Sequence, residues 1–489
     1  MSRAVPNVLL LFSDQHHAGV LGCEGHPDAL TPNLDRLAAD GVRFNRAYCQ
    51  DAVCGPSRAS MMTGLYPRTL GVIDNGEKIA PGIDFVPLPT LMKQSGYYTA
   101  CFGKQHLSPA IDVSWDTAYG TLPGETPSGY WEWIETRGLF TDFLNDWLAE
   151  FGDRLPGVGY NYSAPLLARL SRLPTDATME AYVAEKTIDF LKSRKTGDKP
   201  FFCWSSFYRP HQPYTPIKKW ADMYDPASIQ LPGSIAQPPD DLPLFLRSWR
   251  NNEKRPVNLI EAARDETIYR RYITYYYALV TEIDYYIGQI IKTLEETGLD
   301  ENTIVIYTSD HGEFVGNHGM VEKCHQGHSV YEDTLRVPLF IYWKGRTLIG
   351  KTASDLVELV DLYPTILDMC GLQAPKEVDW AGRSLASAVT SGKPVGRKYA
   401  ICENYSQVSV ITDRYKLGHW IEPPMADRDF RDFGDMLFDR QHDPLEVNNL
   451  LRGSACAEIY NELCGYLAEW ESAVPADGMM LNIERMRSN

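Results

Sequence analysis

The 489-residue sequence has no long apolar run at its N-terminus: VLLLF (8–12) ends at once on Ser13 and Asp14, too short to span a bilayer. No small-residue cleavage site follows, so MSRAVPNVLLLFSDQ reads as a first β-strand and not as a signal peptide, and a cytoplasmic location is expected. A cationic surplus is also missing. Lys and Arg total 47 against 64 Asp and Glu, a formal charge of −17, which excludes the broad basic face that a nucleic-acid binder needs. It leaves room for a small cationic pocket that takes an anionic substrate. The ten cysteines form no CxxC pair and no small-domain disulfide framework, so free thiols in or near the core are expected. Internal repeats and low-complexity tracts are absent. Asn161-Tyr162-Ser163 and Asn404-Tyr405-Ser406 match the glycosylation pattern but carry no weight without secretion.

What is present is a soluble globular composition, 44% hydrophobic and 23% charged, on a chain long enough for two domains. NVLLLFSD (7–14) and TIVIYTSDHGE (303–313) read as buried parallel strands, each ending in an aspartate. FFCWSSFYRPH (201–211) is a further strand. Helical patterns cover TPNLDRLAADG (31–41), PTLMKQSG (89–96) and 264–298, the last directly preceding the strand at 303. This is the αβ alternation of a mixed, mostly parallel sheet sandwiched by helices. Segments 113–175 and 212–262, rich in aromatic, Gly and Pro residues, read as insertion loops that shape a pocket. From about 380 the alternating YAICE, VSVITDRYKLGHWI and MLFDRQHDPLEVNNLL predict antiparallel strands. The expected division is a catalytic domain over 1–375 and a smaller C-terminal α+β domain over 376–489.

Ligands of open α/β sheets gather beyond the carboxyl ends of the strands, so Asp14 and Asp310 are expected in one place. Alone, each aspartate reads as a helix cap. Together, as Asp14-Gln15 and Asp310-His311, they read as a divalent-cation site with Ca2+ first and Mn2+ or Mg2+ as alternatives. Cationic candidates stand at other strand ends: Lys104 and His106 in GKQHL, His211 in RPHQPY, and Lys323 beyond Asp310. Arg58 lies one turn along the helix that Cys54 opens, so both can face one point. Beside a metal, such a set makes a receptor for a tetrahedral oxyanion. By itself Cys54 in CGPSR reads as a buried cysteine at a turn.

CGPSR also fits the C-x-P-x-R signature of the type I sulfatases of the alkaline phosphatase superfamily, and ASMMTGLYP continues it. FSDQ, GKQHL, RPHQPY, SDHGEFVGNHGMVEK with RVPLFI, and MLFDRQHDPLEVNNL resemble that family's other blocks in the same order, over nearly the whole chain. The resemblance implies an alkaline phosphatase-like fold. It also implies that a separate maturation enzyme oxidises Cys54 to Cα-formylglycine, whose hydrate attacks sulfur with one hydroxyl and expels sulfate with the other. Asp14, Gln15, Asp310 and His311, with the modified Cys54, then bind the metal. Arg58 holds the hydrate, Lys104 a sulfate oxygen, and His106 supports the hydrate and sulfate release. His211 and Lys323 meet the leaving-group oxygen, His211 as general acid, and Asn75 contacts substrate.

The implied substrate is a small-molecule or oligosaccharide sulfate ester, with neither nucleic acid nor membrane as partner, and the implied assembly is a homo-oligomer. Gln15 and His311 depart from the Asp-Asp and Asp-Asn pairs of many sulfatases. They resemble choline sulfatases and phosphonate monoester hydrolases, the latter being the alternative reading, although GKQHL keeps the sulfatase Lys and His. A catalytically silent binder of sulfated ligands is expected to have lost Cys54, Arg58 or a metal aspartate, and all are present. Trp131 and Trp133 in SGYWEWIETRG could stack on a sugar or flank an ammonium group, or be core aromatics under a loop.

Overall fold

The computed structural model describes residues 5–107, 109–122, 125, 129–151, 168–195, 197–237, 266–323, 330–375, 380–404, 407–420, 434–452 and 456–478. Asn161, Tyr405 and Ser406 of the two sequons and most of the QPPDDLPL stretch lie outside these residues, as do 376–379 at the expected domain boundary.

Nine strands among the described residues form the main sheet: β1 Asn7–Asp14, β2 Val42–Tyr48, β3 Tyr98–Gly103, β4 Thr117–Tyr119, β5 Phe201–Pro210, β6 Thr303–Ser309, β7 Arg336–Trp343, β8 Lys351–Ala353 and β9 Val357–Glu358. Their order is β4-β3-β5-β1-β6-β7-β2-β8, with β9 also on β2. All run parallel except β7, which is antiparallel to both β6 and β2. β1 lies at the centre because its aliphatic run is buried on both faces. Val8, Leu10 and Phe12 join one apolar layer, and Leu9 and Leu11 join the other. Each such side chain removed from water contributes on the order of 2 kcal/mol. The long helix Glu266–Glu296 and the helices Pro32–Asp40 and Met179–Ser193 pack on the second layer. The buried helix Cys54–Thr63 and the helix Leu362–Cys370 pack on the first.

Strand register gathers the site. β1 pairs with β6 from Asn7↔Thr303 to Ser13↔Ser309, so Asp14 and Asp310 emerge side by side. On the other flank the β1–β5 register shifts after Phe12 and pairs Asp14 with Pro210, which brings His211 to the same end. β3 leaves the sheet at Gly103, paired with Ser206, and delivers Lys104. Gly103 has φ 101°, and a Cβ there would sit 1.8 Å from the Ser206 carbonyl oxygen, so only glycine permits this exit.

The C-terminal strands β10 Ala400–Asn404, β11 Gln407–Ile411, β12 Tyr415–Trp420 and β13 Met436–Asp439 form a separate antiparallel sheet in sequence order, as the alternation predicts. The helix Ala457–Ala473 covers it, and Trp470 meets Tyr66 edge-on at 5.4 Å between ring centroids. The insertion at 113–175 departs from the loop reading: it contains helices at Gly129–Thr136 and Phe140–Phe151. Trp131 packs edge-on against Phe140, Phe143 and Trp147, and donates its indole N–H to the Thr121 carbonyl at 3.0 Å. Trp133 packs on Tyr130 and Tyr182. Both tryptophans thus serve an aromatic layer, which is the core reading of that motif. The nine described cysteines are free, six of them buried. No helix among the described residues is long and apolar enough to cross a membrane.

Candidate active site

Cys54 opens a helix whose residues are all buried, after the extended Val53. Gly64 ends it in the left-handed conformation, φ 73°, with its N–H on the Ser60 carbonyl at 2.8 Å. The helix N-terminus, the positive end of its dipole, therefore points at the strand ends. Asn75 steadies this end: its Oδ1 accepts the Gly55 N–H at 2.8 Å. Around the Cys54 Sγ stand His311 Nε2 at 3.2 Å, Lys323 Nζ at 3.3 Å, and Lys104 Nζ and Asp14 Oδ1 each at 3.8 Å. Burial pushes the thiol up. Lys104, Lys323 and His311, with a hydrogen bond from His106, outweigh it and hold the thiol well below its ordinary value.

Four ligand atoms, one each from Asp14, Cys54, Asp310 and His311, lie within 4.8 Å of one another. His311 donates Nδ1–H to the Gly312 carbonyl at 2.9 Å and turns Nε2 toward the cluster, where the neutral ring would offer a lone pair to a cation. Gln15 has φ 64°, unusual for a residue with a side chain. The conformation is held at both ends. Its N–H donates to Asp310 Oδ1 at 3.0 Å, and its carbonyl accepts from the Tyr276 hydroxyl at 2.7 Å. Its side-chain Oε1 accepts from Lys323 Nζ at 2.9 Å. The five metal candidates with Lys104, His211 and Lys323 are thus one buried constellation, and the half-buried His106 adjoins it at Cys54.

Arg58 is fully buried beside this cluster. Its described hydrogen bonds run to the carboxylates, not to Sγ: Nε to Asp310 Oδ2 at 2.8 Å and Nη2 to Asp14 Oδ2 at 2.9 Å. Nη1 reaches the Lys104 carbonyl at 2.7 Å and Ser206 Oγ at 3.2 Å. All three charged side chains have no exposure, and two buried carboxylates side by side require such a counter-charge. Asp14 also takes Lys104 Nζ at 2.6 Å. Burial and Cys54 push Asp14 up, yet Lys104, His211 and Arg58 hold it far below the carboxylate range. Burial, then Asp14, pushes Asp310 up.

His211 donates Nδ1–H to the Gln212 carbonyl at 2.7 Å, and its Nε2 lies 3.9 Å from Asp14 Oδ1. Burial, helped by Lys323 and Lys104, brings it down to about 4. Arg209 anchors this segment from behind, donating to the His211 carbonyl at 3.2 Å, to the Pro213 carbonyl, and to Thr215 Oγ1 at 3.0 Å. Three partners were not read from the sequence: Gln212, Tyr214 and Glu313, all bound to the Gln15 amide. They sit inside the motifs RPHQPY and SDHGE, but nothing in either motif says they meet.

Burial also brings His16 and His26 down from 6.5 to about 4, as it does His211. Unfolded, each takes up a proton near 6.5; folded, each does so only near 4. Stability from these groups is therefore complete above about pH 6.5 and is lost as pH falls toward 4. A thermal unfolding midpoint that falls steeply over that interval, and less steeply in His26→Gln, is expected by scanning calorimetry. A midpoint flat from pH 6.5 to 4 contradicts the assignment.

A parallel sheet with one reversed strand, carrying two aspartates, a histidine and the Cys54 helix at its carboxyl edge, is the fold of the alkaline phosphatase superfamily. The phosphonate monoester hydrolase of Agrobacterium radiobacter shares this fold, with a TM-score of 0.77 at 23% identity over 96% of this chain and 95% of that one. Within that superfamily the chain belongs to the sulfatase family, whose model matches residues 6–372. A second model, N-sulphoglucosamine sulphohydrolase C-terminal, matches 316–473. The chain is 29% identical to an arylsulfatase of Clostridium perfringens, over 94% of this chain and 92% of that protein. It is 26% identical to the N-acetylglucosamine-6-O-sulfatase of Bacteroides thetaiotaomicron, over 95% and 86%. The protein is a sulfatase, an enzyme that hydrolyses sulfate esters.

Proposed function

We propose that this sulfatase cleaves the sulfate ester of a carbohydrate or other small organosulfate with a nucleophile derived from Cys54. The observation that carries the reading is the Cys54 Sγ, buried at a helix N-terminus with two lysines and a histidine within 3.8 Å. Converted by a maturation enzyme to Cα-formylglycine and hydrated, this position supplies one hydroxyl for attack on sulfur and a second for release of sulfate. The donor set fits a divalent cation: two carboxylates and an imidazole cluster at residue 54, the Gln15 amide oxygen is joined to residue 54 through Lys323 Nζ, and oxygen donors predominate, which favours Ca2+ over Mn2+ or Mg2+. Asp14, Gln15, Asp310, His311 and residue 54 would hold that ion, which when bound supplies Lewis-acid activation and charge for the sulfate oxygens.

The remaining roles belong to the chain's own side chains. Arg58 sets its charge between the two aspartates and holds the hydrate at residue 54. Lys104 offers its ammonium to a sulfate oxygen and Lys323 meets the leaving-group oxygen; Cys54 with Asp14 and Asp310 pushes Lys323 up against its burial, so it stays charged. In the free site His211 is neutral and presents Nε2 without a proton. An anionic ester set against it favours the imidazolium, which then protonates the leaving oxygen. His106 has a buried Nδ1 with no hydrogen-bond partner among the described residues, available to the deprotonation that releases sulfate. Asn75, held by Gly55, keeps its amide nitrogen for substrate. The unit 1–375 carries this chemistry and 376–489 supports it from a separate sheet. We also place the protein in the cytoplasm, in keeping with its free thiols.

Phosphonate monoester hydrolysis is the second reading, favoured by the overlay on such an enzyme and by the Gln15 and His311 donors. Rates on a matched aryl sulfate and aryl phosphonate monoester decide between them, and sulfated mono- and disaccharides, choline sulfate and aryl sulfates then rank the substrates. His211→Asn is expected to lower kcat by about 10²- to 10⁴-fold on sugar sulfates and far less on aryl sulfates with acidic phenols, which need no proton. Equal losses on both classes remove His211 as the acid.

A further inference from the structure

Gln15 is the amide among the candidate metal donors, and an amide can turn either its oxygen or its nitrogen toward the centre. Behind it lies Glu313, fully buried and in contact with no cation in its hydrogen bonds. Four donors point at its two oxygens. Oε2 accepts from Gln15 Nε2 and from the Tyr214 hydroxyl at 3.1 Å. Oε1 accepts from the Tyr272 hydroxyl at 2.7 Å and from the Val315 N–H at 3.4 Å. Burial pushes Glu313 up, and these four hydrogen bonds oppose it, so both oxygens serve as acceptors. The second amide hydrogen of Gln15 goes to Gln212 Oε1 at 2.9 Å. Turned over, the Gln15 oxygen would face the Glu313 and Gln212 oxygens and its NH2 would face the Lys323 ammonium, a mismatch at every contact.

We propose that Glu313 is a positioning residue that aims the Gln15 amide oxygen at the divalent-cation site and lends it negative charge through the amide. The charge is stored one layer behind the ligand: the carboxylate polarises the N–H it accepts and so makes Oε1 a stronger donor to a cation. This rests on the reading of Gln15 as a metal ligand. Tyr214 and Tyr272 complete the support, fixing the Glu313 carboxylate from two directions, and their rings meet edge-on at 4.8 Å between centroids.

The test is Ca2+ and Mn2+ binding to the full-length chain by isothermal titration calorimetry, a readout independent of turnover. Glu313→Gln keeps the volume and removes the charge, and is expected to weaken binding about 10- to 100-fold, with an unfolding midpoint in EDTA near that of the wild type. Gln15→Glu alone sets two carboxylates against each other and is expected to be destabilised. Gln15→Glu combined with Glu313→Gln moves the charge forward and restores both metal affinity and the EDTA midpoint.

Wild-type-like affinity in Glu313→Gln overturns the inference while leaving the metal site intact. Absence of binding by the wild-type chain overturns the metal reading and the inference with it. Should Glu313→Gln fail to fold, the double variant decides against Gln15→Glu alone: restored binding supports the charge relocation, and binding no better than in the single variant overturns it.

Discussion

Cys54→Ala is expected to abolish turnover of a sulfate ester, lowering kcat by roughly 10⁴- to 10⁶-fold, the scale on which losing a catalytic nucleophile costs. The remaining Lys104, Lys323 and His211 still bind an anion, so KM or a sulfate inhibition constant should change far less than kcat. The fold should survive, because the thiol's partners at 3.2–3.8 Å are polar groups of the site and the helix itself is packed through Ala59, Met61 and Met62. Cys54→Ser separates the steps. A single hydroxyl can attack sulfur but has no second hydroxyl to expel sulfate, so the serine variant should be sulfated once, in stoichiometric amount, and then stop. Mass spectrometry of the peptide containing residue 54 reads both results, and in active wild-type protein it should find an aldehyde in place of the thiol. Full activity from protein carrying only the unmodified cysteine would falsify the nucleophile assignment.

Arg58→Met should be the most damaging substitution for stability. Its guanidinium bonds both Asp14 and Asp310 with no solvent exposure on any of the three. Removing one member of such a buried set typically costs about 3–5 kcal/mol, because the charge left behind has neither water nor partner. Lys104 covers Asp14 alone, at 2.6 Å, so Asp310 is the carboxylate exposed to the loss. A divalent cation between the aspartates offsets part of this. The fall in unfolding midpoint should therefore be larger in EDTA than in saturating Ca2+. Activity should drop as well, by about 10²-fold or more, through misplaced aspartates. An equal loss of stability with and without metal would mean that Arg58 acts by packing, through its contact with Phe12 and Trp204, and not by charge.

Much of this site was legible along the chain because parallel strands deliver their carboxyl ends to one edge. Asp14 and Asp310 follow aliphatic runs that can only be central strands, and the two runs do pair, Ser13 with Ser309. Lys104 and His211 follow strands in the same way. The aromatic insertion was less legible. Trp131 and Trp133 fit a sugar platform and a buried layer equally well by composition, and the packing of Phe143 and Trp147 against Trp131 is what selects the layer. The helices at Gly129–Thr136 and Phe140–Phe151 were hidden by a high Gly and Pro content that belongs to their flanks.

The sequence by itself determined the chemical inventory: which carboxylates, imidazoles and ammonium groups stand at the ends of which strands, and the cysteine that opens the helix between them. Those follow from periodicity and from residue type, which are local properties. The tertiary structure alone decided who bonds to whom. Arg58 binds the aspartates and not Sγ, Asn75 holds Gly55, and Gln15 shows its oxygen to the centre because Glu313 and Gln212, from two distant segments, take its hydrogens. Hydrogen-bond and ion pairing depend on placements of a few tenths of an ångström between segments some 200 to 300 residues apart, and on the absence of water there. No local pattern encodes that placement; it arises only when the whole core is packed.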